Sequence, residues 1–134
     1  MYKVTKEIEF CYGHRLLNHD GKCRFLHGHN ARAEVEMAAE RLDDQGMVAD
    51  FHDIKKALQG WIDEALDHKM LLHEADPAAK LLEPSKEPIV RLKTNPTAEA
   101  IAKLIFDQAK NKGFPVTSVR LWETPTSFAT YQTE

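Results

Sequence analysis

Four of the seven histidines, His14, His19, His27 and His29, fall within sixteen positions of one another. Only Gly28 separates His27 from His29. In a strand, successive side chains point to opposite faces, so these two imidazoles project from the same face and can hold one ion. His14 lies near the end of the preceding extended segment, in Gly13-His14-Arg15. An antiparallel return through residues 15–26 brings its ring to the same point. Three neutral imidazoles at about 2.0–2.1 Å leave the fourth position of a tetrahedral Zn²⁺ open, which is the mark of catalytic rather than structural zinc. The competing interpretation is ordinary histidines on a polar loop. The coincidence of His14, Cys23 and the His27/His29 pair weighs against it.

Cys23 precedes His27 by four residues. A nearby cation lowers a thiol pKa from about 8.5 toward neutrality, which gives an acid/base at physiological pH. A fourth zinc ligand is the alternative role, and spacing leaves both open. Cys11, inside the first strand, reads as an inert small core residue. Asp67 and His68, in ALDHKML, follow a helical pattern directly. A carboxylate there can orient the imidazole and stabilise its charged form, as a proton carrier needs, although a histidine at a helix C-terminus is commonly just satisfying the dipole. Glu123, in LWETPT, stands where an apolar strand meets a turn. Its carboxylate either accepts two hydrogen bonds from a planar pair of N–H donors or stands exposed.

Positioning these groups requires strands on either side of a loop. Residues 2–10 mix β-branched and aromatic side chains with charge, and residues 30–37 alternate strictly, so both read as half-buried antiparallel strands. Asn18, His19, Asp20 and Gly21 supply turn chemistry between them. After the turn Asp43-Asp44-Gln45-Gly46, Asp50 stands as N-cap before Phe51, Ile54, Leu58, Ile62, Ala65 and Leu66 at helical spacing. A second helix is announced by Asn95-Pro96-Thr97, continues through Ile101, Leu104 and Ile105, and ends near Gly113. Val116–Glu123 and Ser127–Tyr131 complete the pattern as two more strands around Pro125. The expected fold class is α+β, a four-stranded antiparallel sheet packed on two helices in ββααββ order. Residues 74–94, broken by Pro77, Pro84 and Pro88, read as an inserted loop whose IVRLKT segment is a candidate extra strand.

The 134 residues suit one domain, spanning 1–134. With 18 Lys+Arg against 21 Asp+Glu and a formal charge of -3, no basic face is available for nucleic acid. The opening MYKVTKEIEF has no apolar h-region, and no run approaches the roughly 20 apolar residues that span a bilayer. Two cysteines cannot form a secreted disulfide framework, so the expectation is a cytoplasmic protein with free thiols.

Taken in order, FCYGHRL, CRFLHGH, MVADF, LDH, NPTAE and WET resemble the 6-pyruvoyltetrahydropterin synthase and 6-carboxytetrahydropterin synthase family across most of the chain. That resemblance implies the tunnelling fold (T-fold), with His14, His27 and His29 as ligands of Zn²⁺ and Cys23, Asp67 and His68 as proton-transfer residues. It implies that Glu123 anchors the pterin ring, and that Thr97 and Glu99 belong to the substrate-binding NPT-x-E segment. It further implies a homo-oligomeric ring, a hexamer built from two trimers, with sites at subunit interfaces. Only Arg24, Phe25 and Leu26 separate Cys23 from the HGH motif, which resembles the bacterial carboxy-synthase branch of the 7-deazaguanine and queuosine pathway. The implied activity is a lyase acting on 7,8-dihydroneopterin triphosphate. A pyruvoyl-forming synthase, a dihydroneopterin side-chain aldolase and a non-catalytic zinc- and pterin-binding paralogue stand as alternatives. Met70, Leu71 and Leu72 depart from the usual Leu-Asn after LDH, and residues 73–94 replace a compact link to NPT.

Overall fold

Strands β1 (Tyr2–His14) and β2 (His27–Ala39) pair antiparallel along their whole lengths, from Tyr2 opposite Ala39 to His14 opposite His27. The computed structural model describes residues 1–134. Alternation puts Ile8, Phe10 and Tyr12 of β1 on one face with Ala31, Ala33, Val35 and Met37 of β2, and all seven are buried. Strands β5 (Val116–Thr124) and β6 (Ser127–Gln132) continue the sheet antiparallel, adding Val119 and Leu121 to that face.

The helical face that covers this sheet is dictated by the spacing of apolar residues after Asp50. Helix α1 (Phe51–Ile54), a π-helical turn (Lys55–Gln59) and α2 (Gly60–Ala65) run on as one helix that buries Ile54, Leu58, Ile62 and then Leu66. Asp50 caps it, accepting a 2.7 Å hydrogen bond from the His52 amide. Further along, α4 (Ala98–Asn111) buries Ile101, Ala102, Ile105, Phe106 and Ala109, and the Thr97 hydroxyl caps it by accepting from the Ala100 amide at 3.1 Å. Its C-terminus closes at Gly113, which has φ of 89°, with Gly113 N–H bonded to Lys110 O and Phe114 N–H to Ala109 O. That pattern is the Schellman motif, which needs a residue that adopts the left-handed region without a Cβ penalty. Sheet and helices share one cluster of 20 buried residues.

The α+β class and the four antiparallel strands are as expected, but the sheet has six strands, in the order β4-β3-β1-β2-β5-β6. β3 (Lys69–His73) runs parallel to the end of β1, and β4 (Ile89–Leu92) parallel to β3. The 74–94 segment is therefore a built extension rather than a loop: α3 (Pro77–Leu82), a 3₁₀ turn (Glu83–Ser85) and β4. Leu72, Ala78 and Ala79 form a second, small apolar cluster beneath it. Asp76 caps α3, is 3% exposed, and receives both Nε and Nη2 of Arg15 in a forked ion pair. No helix is long and apolar enough to cross a membrane.

Candidate active site

At one end of the sheet the buried face changes from apolar to imidazole. His14 follows Ile8, Phe10 and Tyr12 at two-residue steps, and His27 and His29 precede Ala31 in the same alternation, so all three rings emerge on the helix-facing side. Register sets His14 opposite His27 and Tyr12 opposite His29. The Nε2 atom of His14 lies 3.0 Å from that of His27 and 3.2 Å from that of His29. Tetrahedral coordination at 2.0–2.1 Å places neighbouring nitrogens about 3.3 Å apart, so the donor set fits a divalent metal.

The other ring nitrogens fix the tautomers. His14 Nδ1 donates to the Pro96 carbonyl at 2.6 Å, and His27 Nδ1 donates to the Phe25 carbonyl at 2.7 Å, leaving the Nε2 lone pairs aimed inward. Burial lowers the pKa of His14, against the pull of the Pro96 carbonyl and the Glu123 carboxylate, and the neighbouring imidazoles add to the lowering. His29 is lowered by burial first and by His27 next, with Glu123 opposing. Both are therefore held in the neutral form that binds metal.

Glu123 reaches this cluster from the end of β5. Its Oε1 is 3.5 Å from His14 Nε2 and 3.5 Å from His29 Nε2, and it accepts a 3.1 Å hydrogen bond from the Tyr12 hydroxyl. Burial raises the Tyr12 pKa and the adjacent Glu123 charge raises it further, so the phenol stays protonated. Tyr12 carried no signal in the sequence, because its partner lies 111 positions away.

Asp67 and His68 form a second group at the edge of β1. Asp67 Oδ2 accepts from His68 Nδ1 at 2.7 Å, while Oδ1 accepts from the Cys11 amide at 2.9 Å. Burial pulls the Asp67 carboxyl up, but the bonds from Cys11 and His68 outweigh it and hold the pKa below the ordinary value. His68 itself has φ of 59°, an uncommon left-handed conformation held by its own amide bond to the Cys11 carbonyl at 2.7 Å. Cys11 is not a core residue as expected. It lies on the sheet face opposite Phe10 and Tyr12, half-buried, with its thiol in one group with Asp67 and His68.

His27, His29, His68 and Cys11 line one cavity of about 560 Å³. Cys23 sits on a 3₁₀ turn (Lys22–Arg24), outside both side-chain groups and outside the lining of that cavity. Thr97 and Glu99 also stand outside its lining, the Thr97 hydroxyl being engaged as the helix cap. The Asn95-Pro96-Thr97 segment serves the site in another way. Pro96 orients His14, and Asn95 clamps Leu17 by a pair of hydrogen bonds of 2.8 and 3.1 Å.

A mixed six-stranded sheet backed by helices, with three imidazoles and a carboxylate at its end, is the arrangement of the tunnelling-fold pterin synthases that the sequence resembles. The family model for 6-pyruvoyl tetrahydropterin synthase matches residues 3–134. A 6-carboxy-5,6,7,8-tetrahydropterin synthase of Rickettsia bellii is 41% identical, covering 96% of this chain and 98% of the relative, and one of Haemophilus influenzae is 36% identical, covering 98% and 99%. Among solved structures, an uncharacterised protein from Wolinella succinogenes superposes with a TM-score of 0.81 at 27% identity, covering 99% of this chain and 98% of that one. The 6-pyruvoyl tetrahydropterin synthase of Caenorhabditis elegans gives 0.76 at 26%, covering 99% and 96%. The chain belongs to the 6-pyruvoyl tetrahydropterin synthase family, a family of lyases.

Proposed function

We propose that this protein is a single-domain, zinc-dependent lyase. It converts 7,8-dihydroneopterin triphosphate to 6-carboxy-5,6,7,8-tetrahydropterin, releasing acetaldehyde and triphosphate with uptake of one water, in the cytoplasmic route to 7-deazaguanines and queuosine. The observation that carries this reading is the convergence of three imidazole nitrogens and the Glu123 carboxylate on one point, in a chain whose relatives bear that enzyme's name. The short Arg24-Phe25-Leu26 spacing favours the carboxy product over the pyruvoyl one.

His14, His27 and His29 would hold the zinc, which supplies Lewis-acid polarisation of the substrate's side-chain hydroxyls. Glu123 binds the N–H edge of the pterin ring. Cys23 takes a proton from the side chain, and His68, oriented by its 2.7 Å bond to Asp67, delivers one. Within one chain Cys23 stands apart from Asp67 and His68. A ring of two trimers with sites at subunit interfaces lets Cys23 of one subunit serve His68 of its neighbour. In support, β6 pairs only with β5, and β1 pairs with β3 only over residues 12–14, so both offer unpaired backbone to another copy.

The test is to incubate zinc-loaded protein with 7,8-dihydroneopterin triphosphate and identify the products by mass spectrometry. The expected products are the carboxypterin and acetaldehyde. A pyruvoyl product would reassign the branch, and no turnover at full zinc loading would sink the enzyme assignment. Cys23→Ala is expected to abolish turnover while retaining zinc. Loss of zinc with it would make Cys23 a ligand instead of a base.

A further inference from the structure

Glu123 is the one carboxylate at the imidazole cluster, and it occupies an irregular piece of backbone. The β5–β6 register shifts between Trp122 and Thr124, so Glu123 has no partner in that ladder. Its side chain is 26% exposed, and no lysine or arginine pairs with it. Its Oε1 stands 3.5 Å from both His14 Nε2 and His29 Nε2, and an untethered glutamate there would sample several rotamers that aim its second oxygen in different directions.

Tyr12 supplies the tether. It is 3% exposed, its hydroxyl donates to Glu123 Oε1 at 3.1 Å, and its ring packs edge-on to His14 at 5.1 Å and tilted to His29 at 5.7 Å. The same side chain thus touches two of the three clustered imidazoles and the carboxylate. An ionised carboxylate offers about four acceptor positions, of which the phenol uses one, so the remaining face stays free for a planar donor pair.

We propose that Tyr12 is a positioning residue for ligand binding: its buried phenol holds Oε1 of Glu123 beside the imidazoles and so fixes the direction of the carboxylate, leaving the other oxygen for the N–H edge of a reduced pterin. The inference rests on the reading of Glu123 as ring anchor given above. It makes Tyr12 a determinant of pterin affinity rather than of metal content.

The experiment is an equilibrium titration of zinc-loaded, full-length protein with 7,8-dihydroneopterin, which lacks the triphosphate leaving group, followed by pterin fluorescence. Wild type, Tyr12→Phe, Glu123→Gln and the double variant are compared, with zinc counted in each. Tyr12→Phe keeps the ring packing, so folding and zinc stoichiometry are retained while affinity falls about three- to tenfold, the penalty when only one of several carboxylate rotamers is competent to bind. In the Glu123→Gln background the same change adds less than twofold, because the group it positions has already lost its charge. Full additivity, or a Tyr12→Phe affinity within twofold of wild type while Glu123→Gln binds weakly, overturns the role of Tyr12 alone. Loss of zinc in Tyr12→Phe overturns it too, since the phenol would then act on the imidazoles. Unchanged binding in Glu123→Gln overturns the anchor reading itself.

Discussion

Replacing Asp76 is expected to destabilise the protein by more than any surface change. Its carboxylate is fully buried, takes the forked guanidinium of Arg15, and accepts from the Ala78 amide at 2.8 Å as the cap of α3. Loss of an N-cap costs about 1 kcal/mol, and removing one partner of a buried ion pair costs about 3–5 kcal/mol. The Arg15 side chain is 25% exposed and can recover hydration, which moves the second figure down to about 2 kcal/mol. Asp76→Ala should therefore cost about 3 kcal/mol, and Asp76→Asn, which keeps a capping oxygen, about 2 kcal/mol. Urea denaturation of metal-free protein at fixed concentration should show the alanine midpoint lowered by about 1.5 M, taking a slope near 2 kcal/mol per molar. The hydrogen bonds from Arg15, aided by the Ala78 amide, hold the Asp76 pKa below its ordinary value in spite of burial. That stabilisation is present above the unfolded value of about 3.9 and is lost as pH falls through the lower folded value, so in acid Asp76→Asn converges with wild type and Asp76→Ala keeps only the cap's share of about 1 kcal/mol. A difference below about 1 kcal/mol at neutral pH, or one undiminished under strongly acid conditions, would refute the reasoning.

Two further outcomes are open to measurement. His29→Ala should take zinc from one ion per chain to near none by elemental analysis and abolish turnover, and chelator-stripped wild type should regain activity on adding Zn²⁺; retention of tight zinc in the variant would remove His29 from the ligand set. Gly113→Ala should cost about 1–2 kcal/mol in thermal or urea melts, because a Cβ there meets nothing within 4 Å and the whole penalty is the left-handed backbone. Pterin affinity should not change.

The strands of the antiparallel half were legible because each has one wet face. Residues 30–37 alternate, and the alternation carries through to His27 and His29. Strand β3 escaped for the opposite reason: Leu71 enters the main core while Leu72 joins the small cluster under α3, so both faces are covered and the sequence shows only an apolar run. The imidazole cluster was readable from spacing, since two of its members are two residues apart and the third ends the adjoining strand. The contacts that join distant segments were not. Arg15 with Asp76, Tyr12 with Glu123 and His14 with Pro96 bridge 61, 111 and 82 positions, and no local pattern announces them. Cys11 was misread because its neighbours Phe10 and Tyr12 are both core, which in a strand places the residue between them on the other face.

The imidazoles lie on the same side of β1 and β2 as the apolar core, and this couples two kinds of failure. Inserting or deleting one residue within either strand turns every following side chain over, so a slip cannot displace the histidines while leaving the core in place. Such a chain loses its fold and its metal site together. A register slip therefore cannot yield a folded chain that lacks only its imidazole cluster.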